Sequence, residues 1–226
     1  MTPEDKRIFV LKYYPVFLDI FGKSCAVVGG GEVAYRKAQR LLQCGARVRV
    51  IARILSPDLE DLKARGEITH IDEQYAPEHL TSSFMVIGAT DSREVNEQIF
   101  RDARTQNILV NIVDEPERCD FILPSIVERG DLAVAVSTGG KSPALARHLR
   151  QELEGIFGTE YETYLKIMGE IREIVLARGR SSAENRKIFE SCVQSDMLNL
   201  IRQKDWDAVR KLIREILHEQ IEVTLP

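Results

Sequence analysis

Between Cys25 and Val113 the chain alternates short apolar runs with stretches whose apolar residues recur every three or four positions. CAVV (25–28) predicts a strand, and Glu32–Gln43 a helix with Ala34, Ala38, Leu41 and Leu42 along one face. Gly45 stops that helix. VRVI (48–51) predicts the next strand, and Pro57–Arg65 a helix with Ser56 as its N-cap. EITHI (67–71) is a weaker strand, FMVIGA (84–89) an apolar run, Ser92–Thr105 a helix and ILVNIV (108–113) a further apolar run. Short apolar strands alternating with amphipathic helices define parallel βαβ units, so the expected fold is α/β with a Rossmann-like parallel sheet.

After Asp114 the rhythm changes. FILPSIVERGDLAVAVST (121–138) reads as two antiparallel strands joined by a turn near Arg129-Gly130-Asp131. From Ser142 the pattern is almost wholly helical, with starts near Ser142, Thr159, Ser181 and Asp205. SSAE (181–184) fits a capping box that pairs Ser181 with Glu184. Three parts are expected: a Rossmann NAD-binding domain over 1–113, a β dimerisation region over 114–141 and a helical C-terminal domain over 142–226.

Composition narrows the function. The 226 residues are 44% hydrophobic and 29% charged, with a formal net charge of -4. There is no global basic field, which argues against a nucleic-acid partner. No stretch approaches the roughly 18 unbroken apolar residues of a membrane span. The N-terminus carries Lys12 and Asp19 inside its apolar part and no small-residue cleavage pattern, so it does not read as a signal peptide. Cys25, Cys44, Cys119 and Cys192 are scattered without a CxxC pair, and Cys25 and Cys44 lie in apolar patterns expected to bury their thiols in a reducing cytoplasm. The four histidines are dispersed, so no metal site is expected.

The candidate chemistry starts at Gly29-Gly30-Gly31-Glu32-Val33-Ala34, which fits G-x-G-x-x-G/A between a strand and a helix. The first glycine permits a tight turn, Gly31 lets the backbone approach a pyrophosphate, and Ala34 lets the helix pack close to the sheet. The helix N-terminus then offers free N–H groups to phosphates. A glycine-rich turn that binds nothing is the plainer alternative. The acid that usually holds the ribose is missing: the second strand runs out in Ile51-Ala52-Arg53. Arg53 could accommodate a 2′-phosphate, pack over an adenine, or be solvated. Gly88-Ala89-Thr90-Asp91 closes another strand, so Thr90 can face the cofactor, while Asp91 can equally be the N-cap of the following helix.

Asp114 ends the last strand of the βα run, at the edge where α/β sheets bind ligands. A carboxylate there can accept a proton from a substrate, or can simply start the Glu115-Pro116 turn. Ser137-Thr138-Gly139-Gly140-Lys141-Ser142-Pro143 is a second glycine-rich loop, with Ser142 as N-cap and Pro143 at the first helical position. It reads as an anion site or as a well-capped turn; Arg147 and Arg150 follow as a positive rim or a solvated face.

Together VVGGGEVAYRKAQRLL, GATD (88–91) and NIVDEPERCDFILPSIVERGDLAVAVSTGGKSPALARHLRQELE (111–154) resemble the precorrin-2 dehydrogenase and sirohydrochlorin ferrochelatase family, the N-terminal module of sirohaem synthase. The resemblance covers about residues 11 to 154. It implies oxidation of precorrin-2 to sirohydrochlorin with NAD+ as hydride acceptor, and in some members insertion of Fe2+. It implies Asp114 as the catalytic aspartate, Gly29, Gly30, Gly31, Glu32 and Val33 as the NAD loop, and Arg53 with Ile54 at the adenosine side. Thr138, Gly139, Lys141, Ser142 and Arg147 would then face the substrate's carboxylates, with Thr138 standing where one branch of the family has a phosphorylatable serine. It also implies a cytoplasmic homodimer built through 114–141. No methyltransferase module follows, so a stand-alone form is expected. Metal insertion would need no cluster from the protein, because the macrocycle supplies four nitrogens.

Two other classes compete. A non-catalytic NAD-sensing Rossmann regulator explains the glycine loop but not the NIVD and STGGKSP segments. A reductase of a small acid would need a dedicated His or Lys, and only His148 lies near.

Overall fold

The computed structural model describes residues 12–218 and 223–225. The reading of the N-terminus falls in part on residues 1–11, outside the described residues. The chain divides into two compact units, Met1–Leu123 and Pro124–Pro226. Where the sequence reading set boundaries after 113 and 141, residues 114–123 group with the first unit and the antiparallel strands with the helices of the second.

The first unit is built on five parallel strands in the order β3-β2-β1-β4-β5. They are β1 (Ser24–Val28), β2 (Arg47–Ile51), β3 (Ile68–Ile71), β4 (Met85–Gly88) and β5 (Leu109–Ile112). Helices α1 (Glu32–Gln43), α2 (Pro57–Ala64) and α3 (Arg93–Thr105) connect them. Alternation along β1 sends Cys25 and Val27 to a core shared with Ala34, Ala38 and Leu41 of α1 and Leu59 and Leu62 of α2. Ala26 and Val28 face the opposite core, with Ile99 and Ala103 of α3. Because both faces are covered, the strands read as unbroken apolar runs rather than alternating ones. The strand order reverses between β1 and β4, which opens a crevice beyond their carboxyl ends.

The second unit starts with the hairpin β6 (Ser125–Arg129) and β7 (Leu132–Val136), paired antiparallel. Val127 is fully buried, and α4 (Pro143–Ile156) and α5 (Glu160–Ala177) pack on the hairpin. The turn approaches α5 so closely that a Cβ on Gly130 would lie 2.7 Å from Glu162 Cγ. Helices α6 (Ser182–Gln194), α7 (Met197–Gln203) and α8 (Trp206–Leu217) complete a helical core with α5 around Ile167, Ile171, Met197, Ile201 and Ile213. The capping box at Ser181 and Glu184 forms as expected.

Two expectations, for Asp91 and Cys44, need correction. The cap of α3 is Ser92, whose hydroxyl accepts from Val95 N–H at 3.3 Å, and not Asp91. Ser56 holds the N-cap position of α2, but its hydroxyl makes no cap bond. Cys44 is exposed, because α1 ends at Gln43 and Cys44 leaves the buried face as the C-cap. Helix α7 was not anticipated; its seven residues are too few for the periodicity to register.

Candidate functional site

The glycine loop after β1 is fixed by backbone contacts. Gly29 N–H bonds to the Ile51 carbonyl at 3.0 Å, and Ser56 N–H to the Gly30 carbonyl at 2.7 Å. Gly29 has φ +129, and a Cβ there would stand 2.2 Å from the Ala89 carbonyl oxygen. A Cβ on Gly30 would stand 1.8 Å from the Ile54 carbonyl oxygen. Gly31 differs: its Cβ position meets nothing within 4 Å. Gly31 is also the N-cap of α1 and supplies no side-chain cap bond, so the first-turn N–H groups of Glu32 and Val33 are left for an anion. Ala34 is fully buried and brings α1 against the sheet. This is the cradle a dinucleotide pyrophosphate needs, and the residues present fit one.

Around the loop stand the other candidates of this unit. Arg53 is exposed at the end of β2, and Ile54 is 83% exposed although apolar. Thr90, after β4, turns its hydroxyl inward. Its Oγ1 lies 3.0 Å from Asn96 Oδ1 and 3.1 Å from the Ser92 carbonyl, while the Asn96 amide donates to the Thr90 carbonyl at 3.1 Å. Thr90 therefore shapes the crevice wall through its backbone, and Asn96, 6% exposed, is the clamp.

Asp114 follows β5 at the same edge of the sheet. It is exposed and adopts the left-handed conformation, φ +61. Aspartate tolerates this region better than most residues, but at a cost of about 1 kcal/mol. Lys37 lies half-buried on α1, in register with Ala34 and Leu41. Burial pushes its ammonium below the usual lysine range, Arg36 adds to the effect, and Asp114 and Cys119 oppose it. Asp114 and α1 are thus within electrostatic reach of each other.

In the second unit, the loop after β7 is held by its own side chains. Thr138 Oγ1 accepts from Ser142 N–H at 3.1 Å and donates to the Ser142 carbonyl at 3.0 Å. Gly139 N–H donates to Ser137 Oγ at 3.1 Å, and Ser142 Oγ caps α4 by accepting from Leu145 N–H at 3.2 Å. Gly139 and Gly140 have φ +60 and +81, with open space at both Cβ positions. Lys141 and Arg147 are exposed. Arg150 pairs with Glu154 one turn on, which removes it as a free cation.

Sequence reasoning missed Lys37, Asn96, Asn111 and Cys119. Asn96 and Asn111 carried one signal: each is a polar residue at a position that the period assigns to the core. Among the described residues, no group of three or more His, Cys, Asp or Glu is placed to hold a metal. Among the same residues, no helix is long and apolar enough to cross a membrane.

A parallel sheet with this order, and a pinned glycine loop opening a helix at its reversal, defines a dinucleotide-binding α/β protein. Residues 16–125 match the family described as "Putative NAD(P)-binding", and residues 129–156 the family described as "Sirohaem biosynthesis protein central". Siroheme synthase 3 of Aeromonas hydrophila is 42% identical over 188 residues, 83% of this chain and 40% of that protein. Siroheme synthase of Photorhabdus laumondii is 37% identical over 209 residues, 92% of this chain and 44% of that protein. The chain thus spans about two fifths of the length of the curated relatives it matches. Among solved structures, SirC, precorrin-2 dehydrogenase, superposes with a TM-score of 0.77 at 26% identity, covering 92% of this chain and 100% of that one. The chain thus carries, in this order, a segment that matches an NAD(P)-binding family and one that matches the central segment of sirohaem biosynthesis proteins.

Proposed function

We propose that this chain oxidises precorrin-2 to sirohydrochlorin with NAD+. One observation carries the reading: Gly29 and Gly30 are locked by backbone while Gly31 fronts open space at the uncapped start of α1. The likeness to SirC precorrin-2 dehydrogenase over the whole of that chain supports the substrate class.

When bound, NAD+ supplies the hydride acceptor. The N–H groups of Gly31, Glu32 and Val33 hold its pyrophosphate, and Arg53 with the exposed Ile54 flanks its adenosine side. The substrate loses one hydride and one proton, and Asp114 takes up the proton. The loop from Thr138 to Ser142 presents backbone N–H groups and the Lys141 ammonium to substrate carboxylates, and Arg147 adds a second cation.

The assay is anaerobic precorrin-2 with NAD+ or NADP+, followed by absorbance of the tetrapyrrole and of the reduced nucleotide. Stoichiometric appearance of sirohydrochlorin and NADH is the expected result. Tight NAD+ binding without turnover would favour an NAD-sensing regulator instead. Adding Fe2+ to the product tests for iron insertion, in which iron is a substrate and Asp114 the proton acceptor.

We also infer a cytoplasmic homodimer formed through the hairpin. One hairpin face is packed under α4 and α5, while the other carries Ile126, Glu128, Ala133 and Ala135, with Glu128 and both alanines exposed. The two small alanines beside Ile126 let a second copy approach closely, with Glu128 toward the turn.

A further inference from the structure

The rim of β5 is more tightly built than a surface turn requires. Residues on either side of Asp114 are tied to a single side chain: Cys119 Sγ lies 3.3 Å from the Ile112 carbonyl oxygen and 3.2 Å from that of Glu115. The thiol has one proton and donates to one carbonyl at a time. The sulfur also accepts from Asn111 Nδ2 at 3.4 Å, and that same amide donates to the Phe121 carbonyl at 2.9 Å. Asn111 is only 7% exposed, so its amide hydrogens depend on these partners. Burial pushes the Cys119 thiol above the ordinary cysteine range, which keeps the proton on sulfur at neutral pH. Glu115 N–H closes the turn onto the Ile112 carbonyl at 3.2 Å. Arg118 then ties Glu115, at 2.7 Å, to Glu97 on α3.

We propose that Asn111 and Cys119 are positioning residues for Asp114: they clamp the 112–115 turn and so fix the direction in which the Asp114 carboxylate leaves the sheet edge. The inference rests on the reading of Asp114 as the base. The clamp spans the residue without touching its carboxylate, so the carboxylate is aimed while remaining open to substrate.

The test combines Cys119→Ala, Cys119→Ser, Asp114→Asn and the Cys119→Ala/Asp114→Asn double variant in the full chain. It reads kcat for precorrin-2 oxidation, the Kd for NAD+, and amide hydrogen exchange at Glu115. Cys119→Ala should lower kcat by about 10- to 100-fold, the range that a misaimed catalytic group costs. It should leave the NAD+ Kd unchanged and speed exchange at Glu115. Serine keeps a donor at this position and should recover most of the lost turnover. With Asp114 already replaced by asparagine, Cys119→Ala should lower kcat no further.

Unchanged exchange at Glu115 in Cys119→Ala overturns the clamp, as does a loss of turnover that persists in full without the Asp114 carboxylate. If Asp114→Asn itself turns over at the wild-type rate, the base reading fails by that result alone, and exchange at Glu115 still decides whether Cys119 holds the turn. Cys119→Val, which fills the space without a donor, replaces the alanine variant should a cavity alone unfold the chain.

Discussion

Gly29 and Ala89 meet where β1 and β4 end, and a Cβ on Gly29 would stand 2.2 Å from the Ala89 carbonyl oxygen. This contact joins the two loops that flank the crevice. Gly29→Ala meets two penalties at once, the clash with fixed backbone and a φ of +129 that side chains rarely adopt. The expected loss is about 2–4 kcal/mol of unfolding free energy, set by backbone strain and displacement of the neighbouring strand. Chemical denaturation measures it; a variant as stable as the parent would mean the loop can move away freely.

Gly31, two residues on, should respond in the opposite way. Its φ is ordinary and its Cβ position is open, so the fold does not need glycine there. Gly31→Asp places a carboxylate where a pyrophosphate has to approach, at a helix start that otherwise favours anions. Thermal stability should stay near that of the parent, while the NAD+ Kd rises by about two orders of magnitude or more, equivalent to losing at least ~2.7 kcal/mol. Titration calorimetry beside a thermal melt separates the two effects. If iron insertion into supplied sirohydrochlorin is present in the parent, it should survive in this variant.

Asp114→Asn isolates the charge. Asparagine is as tolerant of φ +61 as aspartate, so the turn should persist and stability should change by less than about 0.5 kcal/mol. Loss of a general base costs typically about 10²–10⁴-fold in rate, and precorrin-2 oxidation should fall by that factor while NAD+ binding is kept. Oxidation at the parent rate would make Asp114 a turn residue only.

The strand–helix order of the first unit was legible because strands covered on both faces read as plain apolar runs, each followed by an amphipathic helix. The glycine loop was legible too, with Gly29 at the tight turn and Gly31 open to a pyrophosphate, but the backbone that demands the first two glycines was not. Gly29 and Gly30 are required by backbone that comes from Ala89 and Ile54, far along the chain, and only Gly31 faces open space. Thr90 follows β4 at the crevice, but its hydroxyl lies 3.0 Å from Asn96 Oδ1, a partner hinted at only by a polar residue at a core position of α3. Asp91 and Ser92 are both good cap formers, so register alone could not choose between them. Cys119 was read as one of four scattered thiols; its meaning comes from the carbonyls that the turn folds onto it.

The hairpin supplies a test of assembly. Ala135 is exposed and stands opposite Ile126 on the face away from Val127. Ala135→Arg puts a long cation into that face opposite Ile126, and two copies paired there would have to make room for it and strip it of water. Sedimentation should give a dimer for the parent and a monomer for the variant at micromolar concentration, with unfolding of the monomer's own core little changed. A monomeric parent would remove the dimer inference.

Acid should weaken the second unit through Glu160. Arg202 donates to Glu160 Oε1 from Nε at 3.1 Å and from Nη2 at 2.6 Å, joining the start of α5 to α7. That pairing holds the carboxyl of Glu160 below the usual glutamate range. A carboxylate whose folded pKa is depressed binds its proton more readily in the unfolded chain. Its contribution is therefore fully present above the unfolded value of about 4.3 and is lost as pH falls through the lower folded value. The Arg202 side chain is 52% exposed and Glu160 14%, so solvent screens the pair and it is worth about 0.5–1 kcal/mol. Glu160→Gln should accordingly unfold more easily than the parent at neutral pH, and the two stability curves should converge as the solution becomes more acidic than the folded pKa. Denaturant midpoints taken from neutral to strongly acid pH provide the comparison. Curves that stay parallel throughout would show that the ion pair contributes nothing to the folded state.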